Sequence, residues 1–189
     1  MKTSLGPKTL AYPTPAWVIG SYDQDGKPNA MTAAWAGICC SKPPCVCVSL
    51  RQATYTYGNL MARRAFTVNV PHEKYIAETD YFGIASGRDV NKFESTGLTP
   101  VKSDLVDAPY IAEFPLILEC KIIQVHELGL HTQFIGEILD VKADPEVLDG
   151  RGDPLVEKIR PIVYAPGIHK YYSVGMFLET GYKVGKKFK

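Results

Sequence analysis

Two stretches of alternating hydrophobicity, "PLILECKIIQVHEL" (115–128) and "HTQFIGEILDVKA" (131–143), are separated only by Gly129 and Leu130. A period of two places successive side chains on opposite faces of a strand. So short a connection leaves no length for a crossover helix, so the strands must pair antiparallel as one long hairpin. A second hairpin is predicted within "AWVIGSYDQDGKPNAMTAAWAG" (16–37), where Asp25-Gly26 favours a turn with positive φ at both central positions. Pro43 and Pro44 exclude helix and lead into a β-branched strand, Val46–Leu50. "AFTVNV" (65–70) alternates, with Phe66, Val68 and Val70 on one face and Ala65, Thr67 and Asn69 on the other. Helices are predicted over 53–64, capped by Thr54 or Thr56 with Tyr57, Leu60 and Met61 on one face, over 72–86, and in "NKFESTG" up to Gly97. Short strands broken by Pro166 and Gly167 close the chain. Six or seven strands outnumber two or three short helices, so the fold class is mainly β, and a closed antiparallel barrel is favoured over a parallel sheet.

The chain of 189 residues, 46% hydrophobic and 22% charged, is long enough to bury a core and too apolar to be disordered; it reads as a single domain, 1–189. A net charge of +1 gives no broad field for nucleic acid or an anionic membrane, and the basic "KVGKKFK" end reads as a solvated terminus. No apolar run nears the roughly 20 residues of a membrane crossing, and "MKTSLGPKTLAYP" has no signal-peptide core, so a cytoplasmic protein is expected. Five cysteines, an odd number, do not make a disulfide scaffold. Cys45-x-Cys47 has the wrong spacing for zinc. The reading of these thiols is small buried side chains, with a redox role for the adjacent Cys39–Cys40 left open.

Much familiar chemistry is missing from the pattern. There is no G-x-G-x-x-G after a strand, no P-loop, no H-E-x-x-H and no G-x-S-x-G. Three constellations remain. In "NAMTAAW" (29–35) small residues alternate with polar and aromatic handles, Asn29, Thr32 and Trp35. Such a strand either lets a flat ligand approach the main chain or packs tightly as a barrel wall. Ser49, Arg51, Thr54 and Thr56 combine a strand end, a guanidinium, hydroxyls and a helix start, which together suit an anion. Ser86, Gly87, Arg88 and Lys92 form a second candidate anion clamp.

"PTPAWVIGSYDQDGKPNAMTAAW", "KPPCVCVSLRQATYTYGNL", "FTVNVP", "SGRDVNKF" and "HTQFIGEI", in that order, resemble the flavin reductase-like family, and within it the flavoredoxin group. The resemblance implies a split β-barrel that binds FMN, usually as a homodimer with the flavin near the subunit interface. It implies cofactor contacts from Asn29, Met31, Thr32, Ala33 and Trp35 beside the ring, and from Ser49, Leu50 and Arg51 at the next strand end. Thr54 and Thr56 would lie near the phosphate, Ser86, Gly87 and Lys92 would close over it, and His131 would stand near the flavin or nicotinamide. Many relatives have serine where this chain has Ala34, and Cys39-Cys40 is not a fixed part of the pattern. Because the flavin carries the redox chemistry, no catalytic side chain is required. Electrons would come from NAD(P)H as a transient donor, making the chain an NAD(P)H:FMN oxidoreductase, or from a redox protein, making it an electron carrier. The alternative is a cofactor-free or haem-binding split-barrel sensor.

Overall fold

A computed structural model describes residues 1–188. In chain order the strands are β1 (Thr14–Pro15), β2 (Trp17–Tyr22), β3 (Pro28–Ala33), β4 (Ala36–Ser41), β5 (Pro44–Arg51), β6 (Ala65–Val70), β7 (Pro100–Lys102), β8 (Pro109–Ile111), β9 (Leu116–Leu128), β10 (His131–Ala143), β11 (Ile162–Ala165) and β12 (Lys170–Ser173). The α-helices are α1 (Tyr55–Arg63), α2 (Ile76–Ile84), α3 (Lys92–Thr96) and α4 (Val156–Ile159).

The principal sheet has seven antiparallel strands in the order β3-β2-β6-β9-β10-β5-β4. Its spine is the predicted long hairpin β9–β10, whose register runs from His131↔Leu128 to Ala143↔Leu116 with two irregularities. The outermost strands β3 and β4 are consecutive in the chain, with only Ala34 and Trp35 between them. Flat, seven strands would hold these edges roughly 29 Å apart, whereas the intervening chain spans only about 10 Å. The sheet must therefore curl until its two edges meet at this corner. They meet without pairing, since β3 and β4 are not neighbours in the ladder. The result is a split barrel, not the closed one that strand count alone favours. The corner is pinned on the β4 side, where the Ser49 amide of β5 donates to the Trp35 carbonyl at 2.8 Å and extends the β4–β5 ladder by one residue.

Several local expectations change. The "NAMTAAWAG" run is not one strand; it bends at Ala34–Trp35 because it serves both edges. The β2–β3 turn has positive φ only at Gly26, at 80°. The Asp23 carbonyl accepts from Gly26 N, and its carboxylate takes the amides of Asp25 and Lys27, a longer side-chain-stabilised turn than the two-residue type expected. Met61 is exposed, and the buried residues of α1 are Thr56, Asn59 and Leu60. All six residues of β6 are buried. Its alternation separates two interiors: Phe66, Val68 and Val70 enter the barrel core. On the other face, Thr67 donates to the Pro109 carbonyl and Asn69 accepts from Ile111 N, tying β8 across the sheet. A second cluster, with Val18, Phe82, Phe93 and Phe114, packs α2 and α3 against that outer face.

Candidate functional site

β5 ends at Arg51, and the chain turns straight into α1. Thr54 makes that turn: its Oγ1 donates to the Arg51 carbonyl (2.9 Å) and accepts from Tyr57 N (3.3 Å), an N-cap. Ahead of the capped amide, the amides of Tyr55 and Thr56 have no intrahelical acceptor, which gives this end partial positive charge.

The Ser86–Arg88 loop after α2 closes on this end. Arg88 Nη1 donates to the Ala53 carbonyl at 2.9 Å, and its guanidinium lies 5.5 Å from the Tyr55 ring centroid. Gly87 allows the approach, because a Cβ there would lie 2.2 Å from Asn29 Oδ1 and 2.7 Å from Tyr55 Cδ1. Between loop and helix is a cleft of about 230 Å³ whose walls include Met31, Thr54, Thr56, Ser86, Gly87 and Lys92. Gly87→Val is expected to wedge the loop from the helix at a cost of about 1–3 kcal/mol, typical of overpacking. Thermal unfolding checks this, and an unchanged melting temperature would mean the loop is not seated as described.

Lys92 differs from a surface clamp. It is 4% exposed, and its Nζ donates to the carbonyls of Ala30 (2.8 Å) and Phe82 (2.9 Å). Burial lowers its pKa from 10.5 to about 8. Among the described residues no carboxylate lies within ion-pair distance of it. An ammonium has three donor hydrogens, so one remains for a ligand. Beneath Gly87, Asn29 Nδ2 donates to Thr56 Oγ1 at 3.0 Å, and Asn59 donates to Ser21 at 3.1 Å in the same buried network. Asn29 Oδ1 is buried without a partner.

The other sequence candidates fall elsewhere. Thr32 donates to the Thr79 carbonyl and lines an adjoining cleft of about 210 Å³ with Ala34, Asp80, Gly83 and Tyr171. There Tyr171 OH donates to Asp80 Oδ1 at 2.8 Å, and burial together with that carboxylate drives the phenol pKa well up. The two clefts share Gly83 and Ile84. Trp35, Ser49, Arg51 and His131 gather at the barrel seam: His131 stands opposite Arg51 in register and 6.5 Å from the Trp35 ring, edge-on. Ala33 and Leu50 are 4% and 1% exposed and belong to the core, so only their main chain is available to a ligand. Arg51 is exposed and lies outside the cleft, where Arg88 takes the place expected of it. Sequence reasoning passed over Tyr55, Phe82, Gly83, Asp80 and the Ser21–Asn59 support. No spacing signal links them, since they converge only when α1 and α2 dock on β3.

Residues 9–172 match the family model described as "Flavin reductase like domain". The chain is 52% identical to the flavoredoxin of Desulfovibrio vulgaris (Miyazaki F), with a TM-score of 0.94 covering 98% of this chain and 100% of that one. It is 27% identical to a flavoredoxin from Methanosarcina acetivorans, with a TM-score of 0.93 and full coverage of both chains (100% and 100%). It is also 27% identical, over 69% of its length and 64% of the relative's, to the reductase component of a 4-nitrophenol 4-monooxygenase/4-nitrocatechol 2-monooxygenase from Rhodococcus opacus.

Proposed function

The chain belongs to the flavin reductase-like family, and on that premise we propose that it binds FMN, phosphate first, in the cleft between α1 and the 86–88 loop, as an electron-transferring flavoprotein. The observation that carries this reading is the buried Lys92 ammonium with no counter-charge among the described residues, next to the unpaired amides of α1. A buried cation is costly alone and becomes favourable when an anion joins it. The donor set fits a phosphate monoester: one ammonium hydrogen, two helix amides and the hydroxyls beside them.

From that anchor, Met31 and the main chain of residues 32–34 offer the unpaired side of edge strand β3 to a flat ring. Bound there, FMN supplies the two-electron chemistry, and the protein contributes position and access. Thr32 and the Tyr171–Asp80 pair border the space left for a second reactant. We assign that space to a nicotinamide donor, which makes the chain an NAD(P)H-dependent oxidoreductase. A homodimer that covers the seam around Trp35 and His131, and a cytoplasmic setting suited to five free thiols, belong to the same reading.

Anaerobic titration of the FMN-loaded protein with NADH, followed at the flavin absorbance, tests it. Bleaching in proportion to NADH is expected; a flavin that stays oxidised until a redox protein is supplied would make the chain an electron carrier. Failure to retain FMN at all would remove the reading. Affinity should also depend on pH. Lys92 has a depressed pKa without ligand, so above pH about 8 it must take up a proton to pair with phosphate. FMN affinity is expected to be level from about pH 6.5 to 8, where the phosphate is already dianionic. It should then fall by up to about tenfold per unit as pH rises further. The ligand-free fold responds oppositely: the ammonium opposes folding below pH 8, and that penalty lifts between pH 8 and 10.5 as the folded state binds fewer protons.

A further inference from the structure

Four of the five cysteines sit on one hairpin. Cys39 and Cys40 are on β4, and Cys45 and Cys47 on β5. Neighbours along a regular strand face opposite ways, which would keep Cys39 and Cys40 apart. The β4–β5 register breaks between Ile38 and Cys40, however, so Cys39 is an extra residue and Cys40 stands directly opposite Cys45. The irregularity makes Cys40 and Cys45 direct cross-strand neighbours and leaves Cys39 unpaired in the ladder. The redox couple open to this chain is therefore across the strands, not the adjacent pair that the sequence brings to notice. None of the four lines either cleft.

Exposure separates the roles within the pair. Cys40 is exposed, whereas Cys45 is 2% exposed and can be reached only by what is already bound at Cys40. The competing exposed thiol, Cys39, has its pKa pushed up to about 11 by burial and its cysteine neighbours, so little of it is thiolate at neutral pH. We propose that Cys40 and Cys45 are a dithiol–disulfide couple that reduces low-molecular-weight disulfides, Cys40 attacking and Cys45 resolving. In the first step Cys40 Sγ, as thiolate, bonds to one sulfur of the disulfide; the S–S bond breaks and the other sulfur leaves as a thiolate that takes a proton. In the second, Cys45 Sγ bonds to Cys40 Sγ, the mixed disulfide breaks, and the expelled sulfur takes the Cys45 proton. The protein loses two electrons and two protons, and the small disulfide becomes two thiols. The new cross-link staples edge strand β4 to β5.

The test is incubation of the full chain with oxidised glutathione, then thiol counting in denaturant and mass spectrometry of the digest. The wild type is expected to fall from five free thiols to three, with Cys40 and Cys45 joined and no glutathione retained. Cys45→Ala, which keeps the buried site small and apolar, should retain one glutathione on Cys40. Cys40→Ser, at an exposed position, should keep its four remaining thiols free. Loss of two thiols in Cys40→Ser, a Cys39–Cys40 or Cys39–Cys47 link instead, or no loss in the wild type under conditions that oxidise a control dithiol would overturn the proposal.

Discussion

Lys92→Met is expected to weaken FMN binding about 10- to 150-fold while changing riboflavin binding by no more than about threefold. The first range is the ~1.5–3 kcal/mol of a charge-assisted hydrogen bond, at about 1.4 kcal/mol per factor of ten. Riboflavin shares the ring system and lacks the phosphate, so it reports everything except the anion contact. Methionine keeps an unbranched stem of similar volume in the floor of the cleft. The carbonyls of Ala30 and Phe82 lose their donor, but the fold is also relieved of an ammonium whose burial depresses its pKa to about 8. The two effects oppose each other, so the melting temperature should move by only a few degrees. Fluorescence titration with both flavins reads the result. If both weaken equally, Lys92 supports the cleft without touching phosphate; if neither weakens, the phosphate lies elsewhere.

The second large effect is in the core. Phe66 is fully buried, and its ring presses on the bare backbone of β10: a Cβ on Gly136 would lie 2.6 Å from both Phe66 Cε1 and Cζ. Phe66→Ala should cost about 3–5 kcal/mol from lost burial and the cavity left behind. Gly136→Ala should cost about 1–3 kcal/mol from overpacking, because the ring has no open side to yield toward. The double variant should lose less than the sum, by about 1 kcal/mol or more, since the space vacated by the ring accepts the new methyl. Urea unfolding of the four proteins measures this coupling. Simple additivity would show that the ring and the glycine do not share that space.

The features that the sequence displayed best are the chain-local ones. The β9–β10 hairpin was legible because period-two alternation and a two-residue connection are properties of adjacent residues. A threonine cap at Thr54 or Thr56, which the structure assigns to Thr54, and the Gly97 stop were legible for the same reason, since capping hydrogen bonds reach only a few positions along the chain. Lys92 illustrates the opposite case. Its type and loop setting suggested an anion clamp but not its burial, since α3 carries it beneath β3, where it donates to carbonyls from residues 30 and 82. No spacing rule anticipates a contact across 62 residues. Arg51 and Arg88 were both candidates for an anion, and the docking of the 86–88 loop on the start of α1 brings Arg88 to the cleft and leaves Arg51 outside it.

By itself, then, the amino-acid order determined an antiparallel, mostly β chain with capped short helices and a family likeness strong enough to name a cofactor. Tertiary structure alone showed why the sheet curls, because two residues must carry the chain between its edges, which meet without pairing. It alone also buried, beside a helix N-terminus, an ammonium with no ion-pair partner among the described residues, and set Cys40 opposite Cys45. Those outcomes depend on distances between segments remote in sequence, which hydrophobic periodicity does not encode.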